Sequence, residues 1–151
     1  VDLRDILETK CINTQGGPIM ELRPVGSGPF CALCVEDPIH QVLDNLLSNA
    51  ISFSPLGGRI VVYLRRYGYL VEIAVEDEGP GIPEDMREEI FERFYSERPE
   101  SEAFGTHSGL GLSISRQIVV AHGGSISAEN RQNETGEIVG ARLVVSLPLP
   151  A

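Results

Sequence analysis

The chain has 151 residues, 42% of them hydrophobic and 23% charged, an ordinary balance for one globular domain large enough to bury about two-thirds of its unfolded surface. Its net charge of −10, from 22 acidic against 12 basic residues, opposes nucleic acid or anionic lipid as the main partner. Lys10 is the only lysine, which excludes a Walker A loop and the strand lysine of protein kinases; no apolar run reaches the length of a membrane span, nothing reads as a signal peptide, and the start at Val1 suggests a piece of a longer protein.

Residues 2–12 predict a short amphipathic helix with Leu3, Ile6 and Leu7 on one side, broken by Gln15-Gly16-Gly17-Pro18. Ile19 to Val25 and Phe30 to Glu36 predict two strands, joined as a hairpin through Gly26-Ser27-Gly28-Pro29. Cys31 and Cys34 fall in the second strand. Without a second ligand pair nearby they read as buried structural thiols rather than a zinc site, and with Cys11 they make no disulfide framework.

A long helix follows. Asp37 suits its cap, Pro38 its first turn, and Ser54-Pro55 its stop. Ile39, Leu43, Leu46, Leu47 and Ala50 recur at helical spacing and predict a core-facing stripe. Gln41, Asn45 and Asn49 line up beside it at i, i+4 and i+8, so two carboxamides one turn apart can bring their oxygens near one point.

Gly57-Gly58 turns the chain back into the clearest hairpin, Arg59 to Arg66 and Tyr69 to Asp77, joined at Tyr67-Gly68. Val71, Ile73 and Val75 share one face of its second strand, and Asp77 continues their parity. An inward carboxylate at a strand end is costly unless something satisfies it, so Asp77 needs a partner. Glu78-Gly79-Pro80-Gly81-Ile82-Pro83 predicts a tight turn whose glycines let the backbone approach a ligand.

Pro83 starts a further predicted helix with Met86, Ile90, Phe91 and Phe94 on its apolar side. Ser96 to Ser108, with Pro99 and Gly105 as breakers, reads as a long irregular loop of the kind associated with lids. The next helix begins at Ser108-Gly109-Leu110-Gly111 and runs to about His122, where Gly123-Gly124 supplies a left-handed stop. Ser125 to Asn130 and Ile138 to Leu147 predict a final hairpin. The pattern is α+β: a two-layer sandwich of helices on a mixed, mostly antiparallel sheet, in a single domain spanning 1–151.

A helix opening on Gly-x-Gly offers free N–H groups and a positive end to an anion, which makes Gly109-Leu110-Gly111 a potential phosphate site. His107 beside Ser108 raises a nucleophile and its base, but Gly105-Thr106-His107-Ser108-Gly109 lacks the spacing of a nucleophile elbow.

Taken in order, these pieces are specific. Asp44-Asn45-Leu46-Leu47-Ser48-Asn49-Ala50, Asp77-Glu78-Gly79-Pro80-Gly81-Ile82, Ile90-Phe91-Glu92-Arg93-Phe94-Tyr95 and Gly109-Leu110-Gly111-Leu112-Ser113-Ile114 resemble the asparagine, first glycine, phenylalanine and second glycine boxes of the catalytic ATP-binding domain of sensor histidine kinases. That family has the Bergerat fold, within a superfamily shared with gyrase, the ninety-kilodalton heat-shock chaperones and mismatch-repair ATPases. The Ser101 to His122 stretch is similar to the alphaproteobacterial envelope-sensing branch.

The resemblance implies ATP and Mg²⁺. Asp77 would accept from the adenine amino group, and Asn49, helped by Asn45, would hold the metal through a side-chain oxygen. Gly79, Gly81 and Ile82 would lie beside the base, and Ser108, Gly109, Leu110, Gly111 and Leu112 about the phosphates. Tyr95 and Phe94 would pack by the nucleotide or hold the lid, while Phe91 and His122 would have core or surface roles.

Hydrolysing ATPases and serine kinases of the superfamily carry a glutamate four residues before the magnesium asparagine. Here that position is Asn45, which cannot act as a general base, and this favours a histidine kinase. Ser52 and Ser96 stand where the family often has basic residues, so Arg98 or Arg93 would supply the lost charge. His40, His107 and His122 lack the acceptor setting, so the phosphorylated histidine would lie on a separate dimerisation domain of a homodimeric parent, with a response regulator downstream. The fragment would be a monomer on the cytoplasmic side of a bacterial inner-membrane sensor. The other readings are a non-catalytic ATP-sensing module, favoured by Ser52 and Ser96, and a hydrolysing ATPase or serine kinase.

Overall fold

Alternating apolar residues give the strands one face that must be covered. In the computed structural model, which describes residues 2–11, 19–26, 28–32, 34–55, 57–82, 89–91 and 111–149, helices supply the cover. The elements are α1 (Leu3–Lys10), β1 (Ile19–Val25), α2 (Glu36–Phe53), β2 (Arg59–Tyr67), β3 (Leu70–Glu76), α3 (Gly111–Ala121), β4 (Ser125–Gln132) and β5 (Ile138–Pro148), with a short 3-10 turn at Glu89–Phe91. The five strands lie in the order β1-β2-β3-β5-β4; β1 runs parallel to β2 and the other pairings are antiparallel.

Register puts Ile60, Val62 and Leu64 of β2 on the same face as Val71, Ile73 and Val75 of β3 and Leu143, Val145 and Leu147 of β5. All are buried together with Ile39, Val42, Leu43, Leu46, Leu47 and Ala50 of α2 and Leu3, Ile6 and Leu7 of α1. The opposite face mixes charged residues with Val61, Tyr63, Ala74 and Val144. Arg65 and Arg142 both pair with Glu72, and Arg131 pairs with Glu76, so charges cross the strands where the helices are absent.

The expected hairpin between 19–25 and 30–36 does not form. β1 pairs in parallel with β2 from Ile19↔Arg59 to Val25↔Arg65, and among the described residues of 28–35 the strand-like pairing is an isolated bridge between Asp2 and Cys31. The physical reason is burial: Phe30 is 1% exposed within the helix-side core, while Met20 and Leu22 of β1 pack against the same core from the sheet. The segment therefore serves as a plug beside α1 rather than as a strand. Its Cys31 and Cys34 are half-buried free thiols, as is Cys11; burial raises the pKa of Cys34 and Cys11.

Helix α2 starts two residues earlier than a cap at Asp37 predicts. Val35 is its N-cap, Glu36 and Asp37 form its first turn, and Val35 provides no side-chain cap; the stop at Ser54 is as expected. Two acidic residues still favour the positive helix end. α1 agrees with expectation, with Asp2 accepting from the Arg4 backbone N–H. At the far end of α3, Gly123 has φ +78 and Gly124 N–H donates to Val119 O, the left-handed stop. Of the helix expected from Pro83, only 89–91 is described, with Ile90 and Phe91 buried as anticipated. Met86, Phe94, the loop expected over 96–108 and the helix start expected at 108–110 lie outside the described residues.

Candidate functional site

Asp77 follows β3 immediately and keeps its inward parity, so its side chain is only 4% exposed. Two backbone amides meet one of its oxygens: Gly79 N–H donates to Oδ1 at 2.8 Å and Ala141 N–H donates to Oδ1 at 3.1 Å. Burial raises the carboxyl pKa above its ordinary value, and these two amides with the Arg131 charge offset part of that rise. Oδ1 is thus held by the backbone, and Oδ2 receives neither amide.

The turn after Asp77 is packed too tightly for side chains. A Cβ on Gly79 would lie 2.6 Å from Phe53 O at the end of α2. Gly81 has φ +84, a left-handed conformation, and a Cβ there would lie 2.5 Å from Ile138 Cγ2 and 2.8 Å from Asn130 Oδ1. Ile82 is then gripped at both backbone groups: its N–H donates to Asn130 Oδ1 and its carbonyl accepts from Asn130 Nδ2, each at 2.6 Å.

Asn45 and Asn49 are half-buried beside the apolar stripe of α2, on the line expected of them. Asn45 Nδ2 donates to Gly111 O at 3.1 Å and to Ser115 Oγ at 3.2 Å, which joins the middle of α2 to the first turn of α3. A Cβ on Gly111 would make only ordinary contact with Asn45, 3.6 Å from Cγ. Gly79 therefore backs onto the end of α2 at Phe53, and Gly111 onto its middle at Asn45. At 1.5 Å per residue these points are about 12 Å apart along the helix, with Asn49 about 6 Å from each.

The structure so brings Gly79 and Gly111 against α2, which carries Asn45 and Asn49; Asp77 holds the Gly79 N–H, Gly81 and Ile82 follow in the same turn against Ile138 and Asn130, and Leu112 packs against the core. Arg93, Tyr95, Arg98, Ser108, Gly109 and Leu110 lie outside the described residues. Sequence reasoning missed Asn130, Ser115, Ala141 and Arg131, whose Nη1 donates to Asp77 O at 2.6 Å. Their partners are 48 to 70 residues away in the chain, and an Asn in a polar strand or a Ser in a helix gives no local signal of such a role.

Residues 34–151 match the family described as histidine kinase-, DNA gyrase B-, and HSP90-like ATPases. Sensor protein ChvG of Rhizobium meliloti is 56% identical over 111 residues, which are 73% of this chain and 19% of ChvG. Sensor histidine kinase WalK of Bacillus subtilis is 38% identical over 116 residues, 75% of this chain and 18% of WalK. The chain spans less than a fifth of either relative. Among solved structures, the mycobacterial sensor histidine kinase MprB matches with a TM-score of 0.79 at 27% identity, covering 100% of this chain and 97% of that one. The catalytic domain of histidine kinase ThkA matches with a TM-score of 0.72 at 31% identity, over 85% of this chain and 77% of that domain.

Proposed function

Because this chain belongs to the family of histidine kinase-, DNA gyrase B- and HSP90-like ATPases, we propose that it binds Mg-ATP and donates the γ-phosphoryl group to a histidine on a separate dimerisation domain, as the kinase half of a two-component sensor. The observation that carries the reading is the arrangement along α2: Gly79 beside buried Asp77 at the helix end, and Gly111 beside Asn45 in its middle. That spacing suits a ligand with a flat base at one end and phosphates at the other.

Each end has its own chemistry. Asp77 Oδ2 accepts from the amino group of adenine, while the amides on Oδ1 keep the carboxylate from turning. Guanine presents a carbonyl oxygen where adenine has that amino group, so a carboxylate selects against it. Gly79, Gly81 and Ile82 would give the base room, and the residues from Ser108 to Leu112 would meet the phosphates through backbone N–H groups.

Asn49, with Asn45, fits Mg²⁺ through neutral carboxamide oxygens, because hard cations take oxygen ligands and the phosphates already carry the negative charge. Bound there, the ion would offset phosphate charge and hold it for transfer, the electrostatic and positional work that dominates phosphoryl transfer. Tyr95 would pack by the nucleotide or hold the lid, and Arg93 or Arg98 would supply positive charge near the phosphates. A carboxamide at Asn45, spending its N–H groups on α3, cannot take a proton from water or a serine hydroxyl. This favours the histidine kinase over a hydrolysing ATPase or serine kinase. Phosphotransfer to a response regulator follows on the acceptor domain, in a homodimeric parent whose ATP supply is cytoplasmic.

The test is transfer of radiolabelled γ-phosphate, with and without a histidine-bearing dimerisation domain. Acid-labile, base-stable label on that domain is the expected result. Brisk phosphate release by the chain alone selects the ATPase reading, label on serine selects the serine kinase, and no transfer to any supplied acceptor selects a binding-only module.

A further inference from the structure

Ser115 is a polar residue with 0% exposure, in the first turns of α3, and the roles assigned above do not use it. Its hydroxyl makes two bonds. Oγ donates to Gly111 O at 2.8 Å, one turn back along its own helix, and accepts from Asn45 Nδ2 at 3.2 Å. Asn45 Nδ2 also donates to Gly111 O at 3.1 Å, so three groups close a small triangle between α2 and α3.

The triangle decides which way the carboxamide faces. A backbone carbonyl only accepts, so the Asn45 atom at Gly111 O must be the nitrogen. The Ser115 hydrogen is already spent on the same carbonyl, so Oγ can offer Asn45 only a lone pair. Reversing the carboxamide would set its oxygen against the Gly111 carbonyl in a partly buried site, and it could regain a bond at Ser115 only by taking the hydroxyl hydrogen away from Gly111 O.

We propose that Ser115 is a positioning residue of the nucleotide site, fixing the Asn45 carboxamide so that Oδ1 is the atom presented toward the metal and phosphates. This rests on the Mg-ATP reading above. Without the hydroxyl, Gly111 O alone holds Nδ2, and the carboxamide samples rotamers that offer N–H groups to the cation. Helix α3 then does two things at once: its opening turn meets the phosphates, and its Ser115 orients the asparagine opposite.

The experiment compares the parent with Ser115→Val, Ser115→Ala and Ser115→Thr. Threonine keeps the hydroxyl; valine has threonine's shape without it, and alanine guards against a valine variant that fails to fold. Calorimetry with ATP plus Mg²⁺, and with adenosine minus metal, should show Mg²⁺-dependent affinity about tenfold weaker in the valine and alanine variants. Metal-free adenosine binding should be unchanged, and the threonine variant should match the parent. A general packing defect would instead weaken both ligands.

A second readout needs no ligand: the side-chain amide signals of Asn45 in ¹⁵N-labelled protein, assigned with Asn45→Asp, should be shifted by hydrogen bonding in the parent and threonine variant and relaxed in the other two. Full Mg²⁺ dependence in the valine and alanine variants overturns the role of Ser115 alone. A parent with no Mg²⁺-dependent nucleotide affinity overturns the Mg-ATP reading and this inference with it.

Discussion

The backbone N–H of Val35 donates to Nε2 of His122 at 3.0 Å, so α2 is capped by a residue that lies 87 positions later, just past α3. His122 Nδ1 lies 2.7 Å from Ile118 O, an acceptor, which makes Nδ1 the protonated nitrogen and leaves Nε2 as acceptor. The imidazole ties the start of the asparagine-bearing helix to the end of the helix that opens beside it.

His122→Ala should cost about 1 kcal/mol, the usual worth of a helix cap, read as a lower denaturation midpoint. Amide exchange should quicken at the first turn of α2. Equal midpoints in urea for parent and variant would show that the contact contributes nothing.

Asp77→Asn separates folding from recognition. Burial raises the Asp77 pKa, so above the ordinary carboxylate value the folded chain holds this proton more tightly than the unfolded chain. Stability due to this group is therefore highest in acid and falls as pH rises through the window up to the raised folded value. An asparagine still accepts the Gly79 and Ala141 amides on its oxygen and has no such proton. Urea denaturation across the acid range should show the parent losing more stability than the variant as pH rises; parallel curves would refute the buried-carboxylate account.

The same substitution should abolish adenine selectivity. Excess ATP at a hundredfold over Kd should stabilise the parent by about 2.7 kcal/mol and leave Asp77→Asn nearly unmoved. Parent affinity should also fall as acid protonates Asp77, since a protonated Oδ2 no longer accepts freely. Equal thermal shifts with ATP and GTP would rule out the adenine contact.

Asn130 is the clamp on the glycine turn. Asn130→Ala removes both bonds to Ile82 and should cost about 1–3 kcal/mol, with weaker nucleotide affinity because the 79–82 backbone loses its support. Asn130→Asp keeps the acceptor and loses the donor, so it should fall between. An alanine variant with the parent's stability and affinity would mean the turn holds itself.

Asn49→Ala should remove the Mg²⁺-dependent part of ATP affinity and spare metal-free adenosine binding. Its carboxamide sits on the half-buried edge of α2, so folding should be little affected. Retention of the full Mg²⁺ dependence in calorimetry would reassign the metal to another residue.

The sequence alone determined the elements whose signals are local. The 3.6-residue stripe of α2, the alternation of β2 and β3, the inward parity of Asp77 and the stop at Gly123 follow from periodicity and backbone sterics, which act over a few residues. The order of the boxes along the chain carried the family resemblance in the same local way. Tertiary structure decided what depends on a distant partner. Phe30 left the expected strand because the core beside α1 accepts it, and β1 then found β2 rather than its neighbour in the chain. Val35 displaced Asp37 as the cap of α2, and its N–H found a partner only in His122. Asn130, Arg131, Ala141 and Ser115 acquired their positions through hydrogen bonds across 48 to 70 residues. A buried polar group must find its partner wherever the fold provides one, and that requirement writes no period into the sequence.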